Sequence, residues 1–232
     1  MIPLSDSNPT ARAPIVNRAL LLVNLVVWLY TFSLSRDPAA LEAFYTRYAF
    51  DWSRTVAQLS SGTVGLDSVE TLSTLVTHMF LHGGWLHVIG NLLYLWIFGD
   101  NVEERFGSVR YLAFYLLCGI IAAVGQGIIQ PAPMVGASGA VAGVLGAYLF
   151  LFPGSRVRTL IFLGLFITIV QLPAIVVIGL WIVVQVLSGL AELRMSEVGP
   201  ASNVAFFAHV VGFVAGILLL AVLRPSRRAR VR

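Results

Sequence analysis

Apolar runs that approach the ~20 residues needed to cross a bilayer recur along this whole chain, and they constrain its fold more than any other feature. They run from about Ile15 to Leu34, Leu75 to Phe98, Val109 to Ile129, Ser138 to Phe152, Ala174 to Leu190 and Asn203 to Leu223. Only 11% of the 232 residues are charged, against about 25% in soluble domains. The expected fold is an all-α membrane protein of six transmembrane helices. One membrane domain covers residues 15–223, between a polar, mobile N-terminal tail (1–14) and a basic C-terminal tail (224–232).

The interruptions between runs are as informative as the runs. Residues 35–72 mix charges with Phe44, Tyr45, Tyr48, Phe50 and Trp52, too polar to span and too aromatic for a free linker, which fits an interfacial amphipathic segment. Pro131 and Pro133 precede the fourth run, and Pro153-Gly154 stops it. From Val157 to Leu190 the chain stays apolar, too long for one span and too short for two. Pro173 divides it into an interfacial or re-entrant piece and a fifth span from about Ala174.

The net charge of +4 does not point to nucleic acid, because all 15 basic residues are arginines and five of them lie in the C-terminal tail. That is a topology signal facing anionic lipid. With the N-terminus inside, 11 arginines fall on the inner side and 4 on the outer, so both termini are expected in the cytoplasm. The arginine-only basic set fits a GC-rich bacterial genome, and the expected location is a bacterial inner membrane. The single cysteine, Cys118, excludes a disulfide framework and a cysteine metal site.

Ionisable residues at membrane depth are costly and mark function by default. His87 and Asn91 lie four apart in the second run and share a helix face. Phe80, Gly83, Gly84, Gly90, Tyr94 and Phe98 fall on the same stripe if the helix begins near Leu75. The fourth run opens with Gly136-Ala137-Ser138-Gly139-Ala140. It is short, so Ser138 begins a helix below the outer surface, where the first backbone amides have no internal partner and carry partial positive charge. Such a terminus can stabilise an oxyanion. Ser138 precedes Phe152 by 14 residues, and His209 precedes Leu223 by 14. Both helices run inward, so the two residues reach similar depth. Gly139 with Gly143, and Gly212 with Gly216, are G-x-x-x-G pairs that allow close backbone approach. No carboxylate lies near either residue, so the expectation is a Ser138–His209 dyad in which His209 takes and returns the proton.

The set His78-x-x-x-His82-x-x-x-x-His87-x-x-x-Asn91, then Gly136-Ala137-Ser138-Gly139, then Ala208-His209-x-x-Gly212-x-x-x-Gly216, resembles the rhomboid intramembrane serine proteases, as does Val102-Glu103-Glu104-Arg105-Phe106-Gly107. The resemblance spans about residues 15–223. It implies a six-helix rhomboid-like bundle with a short central helix starting at Ser138 and a water-filled cavity open to the outside. It implies Ser138 as nucleophile, His209 as base, and His87, Asn91 and the Ser138 amide as the oxyanion site, with Gly136 permitting the turn before the serine. The substrates implied are other transmembrane proteins, cleaved in or near their membrane segments, with no metal and no cofactor.

Two positions depart from the family pattern. The residue four after the serine, often aromatic there, is Ala142, which leaves Phe206 and Phe213 to orient His209. The Trp-Arg pair of the first outer loop is absent, with Trp52 and Arg54 separated by Ser53. Two other classes compete with a protease. A rhomboid-fold protein that binds membrane clients without cutting them would be expected to lack the serine or the histidine, and both are present. A solute transporter would show internal repeats and paired broken helices, and neither is visible.

Overall fold

The computed structural model describes residues 1–164, 166–195 and 204–223. The basic tail from 224 and the expected start of the last span at Asn203 lie outside the described residues. The chain is mostly helical. In order it forms β1 (Ile2–Asp6), α1 (Ile15–Leu34), α2 (Pro38–Tyr48), α3 (Trp52–Ser61), α4 (Leu66–Thr77), a 3₁₀ turn (His78–Phe80), α5 (Trp85–Phe106), α6 (Ser108–Ile129), α7 (Ser138–Leu151), β2 (Arg156–Leu163), β3 (Phe166–Pro173), α8 (Ala174–Met195) and α9 (Phe206–Leu223). Among the described residues, α1, α6, α8 and α9 are long and apolar enough to cross a membrane.

The bundle is built around α7. Every residue from Gly139 to Tyr148 is buried, and α5, α6, α8 and α9 all pack against this helix. Outer helices reverse the pattern of a soluble protein. On α1 the buried stripe is Asn17, Leu20, Asn24, Trp28 and Thr31, while Leu22, Val26 and Leu29 are exposed. Several inward polar groups find partners: Asn24 donates to the Leu20 carbonyl (2.7 Å), Thr31 to that of Trp28 (2.9 Å), and Asn17 to that of Leu95 on α5 (3.0 Å). In hydrocarbon an unsatisfied polar group costs several kcal/mol, so a polar stripe must turn inward and find partners.

Glu103, buried at the end of α5, shows why a carboxylate belongs in this interior. It accepts hydrogen bonds from the Val16 amide (3.1 Å), the Asn17 amide (2.7 Å) and the Ser108 hydroxyl (2.6 Å). The first two are unpaired amides at the positive end of α1, where a negative charge is favoured. Glu103 thereby ties the start of α1 to the α5–α6 turn.

Three expectations change. First, the fold is not purely α. The apolar stretch before Pro173 is a β-hairpin, β2 paired antiparallel with β3 from Arg156↔Pro173 to Leu163↔Phe166, turning at Gly164 with φ +63°. Its β-branched residues (Val157, Thr159, Ile161, Ile167, Thr168, Ile169, Val170) favour the pleated conformation. Second, the N-terminal segment is anchored: β1 adds to the hairpin as a third strand, with Ile2 opposite Leu160 and Asp6 opposite Val157. Asp6 also accepts from the Tyr148 hydroxyl (2.6 Å) and Asn101 (3.0 Å). Third, the second apolar run is not one helix from Leu75. It breaks after Thr77, and α5 starts only at Trp85, because Gly83-Gly84 supplies poor helix formers at the break. His78 and His82 therefore precede α5 and lie off its helical stripe.

The long outer connection folds into three short helices. Asp37 caps α2 through the Ala40 amide (3.1 Å), and Asp51 caps α3 through the Arg54 amide (2.8 Å). Trp52 and Arg54, though not adjacent, both anchor this region. Arg54 donates to the carbonyls of Thr46 (2.8 Å) and Ala49 (3.1 Å). Trp52 packs so closely on α6 that a methyl group at Gly127 would come within 2.7 Å of it.

Candidate active site

Ser138 is placed by the loop before it. Phe50 and Met134 exchange both backbone hydrogen bonds (3.1 and 2.8 Å), and the Gly136 amide donates to the His78 carbonyl (2.9 Å). The turn then passes through Gly136 at φ +128°, a conformation open to glycine and strained for other residues. A side chain there would also meet the site: a methyl group on Gly136 would stand 2.6 Å from Cε1 and Nε2 of His87 and 3.6 Å from Ser138 Oγ. The glycine, the His87 ring and the serine hydroxyl thus share one small space. The first bond of the helix ladder runs from the Val141 amide to the Ala137 carbonyl (2.9 Å), so the amides of 138–140 precede the ladder.

His209 is carried beside this point by the contact between α7 and α9. A methyl group on Gly212 would collide with the Gly139 carbonyl oxygen, and one on Gly216 with that of Gly143. The two G-x-x-x-G faces meet backbone to backbone. Ala208, next to His209, lies against Gly139, and its amide donates to Gln126 of α6 (3.0 Å). His209 is buried, 9% exposed, and is close enough to His87 for the two rings to interact electrostatically.

His87 and Asn91 sit one turn apart on α5, as their spacing requires. Asn91 is buried, and its Nδ2 has no hydrogen-bond partner among the described residues. A buried donor left unpaired is costly, and a donor facing a reaction space is where that cost is tolerated. His82 stacks edge-on against His87 with ring centroids 5.0 Å apart. Tyr45 of α2 holds the His82 backbone, donating to its carbonyl at 2.6 Å. No cluster of three metal-ligating side chains occurs among the described residues.

The surroundings of His209 differ from those expected. Phe206 does meet the imidazole, edge-on at 6.5 Å between centroids. For Phe213 no ring contact with the imidazole occurs among the described residues, and its carbonyl oxygen packs against Gly146 of α7. Two residues of α8 that the sequence reading passed over do more. The Trp181 ring lies 5.6 Å from the imidazole at 39°, and His209 Nδ1 is 2.7 Å from Gln185 Oε1. A signal existed: Gln185 is the single polar residue in the apolar run from Ala174 to Leu187, four after Trp181 and on the same face.

Residues 69–226 match the Rhomboid domain. The chain is 32% identical over 149 residues to Rhomboid protease GluP of Bacillus subtilis (strain 168), covering 64% of this chain and 25% of that protein. It is 28% identical over 229 residues to RHOMBOID-like protein 7 of Arabidopsis thaliana, covering 92% and 66%. It is 33% identical over 71 residues to Rhomboid protease GlpG of Yersinia pestis (strain Pestoides F), covering 31% and 26%. The chain thus spans between about a quarter and two thirds of the length of these relatives. With a matching Rhomboid domain, apolar helices of membrane-crossing length and named proteases among its relatives, the chain is an integral membrane protein that belongs to the rhomboid family.

Proposed function

We propose that this chain is an intramembrane serine endopeptidase that cuts other membrane proteins in or near their transmembrane segments, with Ser138 and His209 as a dyad. The observation that carries this reading is the meeting of Gly136, His87 and Ser138 at the start of α7, with α9 bringing His209 alongside. In the proposed sequence, Ser138 Oγ attacks the scissile carbonyl as its proton passes to His209 Nε2. The oxyanion is held by the Ser138 amide, Asn91 Nδ2 and His87. His209 then gives the proton to the departing amine, leaving an acyl-serine that water hydrolyses by the reverse proton path.

The proposed topology has six spans: α1, α5, α6, α7, α8 and α9, forming a membrane domain over 15–223. At 14 residues α7 reaches about 21 Å, less than the ~30 Å hydrocarbon core, which supports a serine sunk below the outer surface. The contacts of residues 1–14 with β2, with the α5–α6 turn and with the end of α7 bring the segments that carry Arg12, Arg105, Arg156 and Arg158 to one end of the bundle. This supports placing both termini in the cytoplasm of a bacterial cell.

A fluorophosphonate probe, which reacts with activated serines, is expected to label the purified protein in detergent and to lose all labelling in Ser138→Ala. Absence of Ser138-dependent labelling, together with no cleavage of a model transmembrane substrate in liposomes, would sink the protease reading. Asn91→Ala is expected to lower turnover about 10²- to 10³-fold, the loss typical for removing one oxyanion donor, while the unfolding midpoint changes little. Unchanged turnover would remove Asn91 from the mechanism.

A further inference from the structure

We infer that Gln185 of α8 is the positioning residue for His209, fixing which ring nitrogen carries the proton, with Trp181 as the ring that holds the imidazole plane. The inference rests on the protease reading for its kinetic consequence, but the geometry stands by itself. A neutral imidazole has one N–H and one lone pair, and the partner of one nitrogen decides the role of the other. With Gln185 Oε1 accepting from Nδ1 at 2.7 Å, the proton is held on Nδ1. Nε2 is then left as the lone pair that a general base needs. The reverse tautomer would place a proton on Nε2 and disable it as an acceptor for Ser138.

The surroundings leave this task to α8. On the α7 side the position four after the serine is Ala142, which supplies no ring. The groups that face His209 are His87 from α5, Phe206 from its own helix, and Trp181 and Gln185 from α8. Of these, Gln185 makes the hydrogen bond and Trp181 the broadest ring contact. Trp181 and Gln185 lie one helical turn apart, so a single face of α8 supplies both the tilted ring contact and the acceptor. An amide oxygen also suits the location better than a carboxylate. It accepts the same bond without bringing a second buried charge to membrane depth, where charge is costly.

The test uses the full chain in detergent micelles or nanodiscs. ¹⁵N spectra of histidine-labelled protein, with His209 assigned by its loss in His209→Ala, are expected to show a protonated Nδ1 and an unprotonated Nε2 in the wild type. Gln185→Leu is expected to shift the population toward the Nε2-protonated form. It should also lower kcat about 10- to 100-fold, the order seen when a partner that orients an imidazole is removed, with KM within about twofold. Gln185→Glu, which keeps an acceptor in place, is expected to recover most of that loss. An Nε2-protonated His209 in the wild type would overturn the inference, as would wild-type kcat in Gln185→Leu or equal losses in the Leu and Glu variants. If Ser138-dependent labelling fails, the protease reading falls, while the tautomer measurement still decides the role of Gln185.

Discussion

His209→Ala is expected to lower cleavage of a transmembrane substrate by at least about 10⁴-fold, Ser138→Ala by a similar factor, and the double variant by no more than either alone. Residues that act as one unit show this non-additivity, because a nucleophile without its base and a base without its nucleophile are equally idle. Two independent contributors would instead multiply their losses. The structure makes the comparison clean on the folding side. Ser138 is half-buried at a helix start, so removing its hydroxyl opens no large cavity. His209 is enclosed by Trp181 and Phe206, and its loss is expected to reduce the unfolding midpoint modestly while leaving the bundle intact. The measurement is initial cleavage rate in proteoliposomes at matched protein content, beside a thermal melt. Losses that multiply in the double variant would mean that the two residues do not work as a dyad.

Gly216→Ala is expected to destabilise the protein by about 3 kcal/mol, the upper part of the range for forcing an extra group into a packed interior. The added methyl would run into the carbonyl oxygen of Gly143. That atom is backbone in a helix buried on all sides, so no side chain can swing away to make room. Relief requires α9 to move off α7, and His209 lies on α9, so activity is expected to fall together with stability. The matched control is Gly179→Ala on α8, where an added methyl meets no atom within 4 Å. That change is expected to be neutral or slightly stabilising, since alanine is the better helix former by up to about 1 kcal/mol. Thermal melts of the two variants decide the point: similar midpoints would show that the α7–α9 contact is looser than its geometry requires.

Where the sequence could be read, physical necessity left little choice. The bilayer demands about 20 apolar residues per crossing, and α1 occupies the expected Ile15–Leu34. Proline cannot continue a helix from within, and α8 begins at Ala174, directly after Pro173. Close helix approach requires small residues, and Gly139, Gly143, Gly212 and Gly216 do meet. The spacing of His87 and Asn91 placed them on one face of α5.

Where it failed, two conformations satisfied the same pattern. A continuous apolar stretch suits a buried helix or a strand equally, and residues 156–173 resolved as a hairpin only because β-branched residues and Gly164 favour that form. The stripe through Phe80, Gly83 and Gly84 assumed a helix that begins only at Trp85. Gln185 was passed over for a different reason. Its importance depends on a contact with His209, 24 residues later and on another helix, and no local pattern encodes such a pairing.

The strand β1 also sets an order in time. Its partner β2 lies more than 150 residues further along the chain, beyond α1 and the whole of α7. During synthesis β1 must wait, without this partner, until that distant strand emerges, and closure over so long a loop carries a large entropic cost and is intrinsically slow. The residues of β1 therefore dock at this end of the bundle only after α7 and β2 have been made. Their docking onto β2 and onto Tyr148, at the far end of the helix that begins with Ser138, reports that the central helix has already arrived.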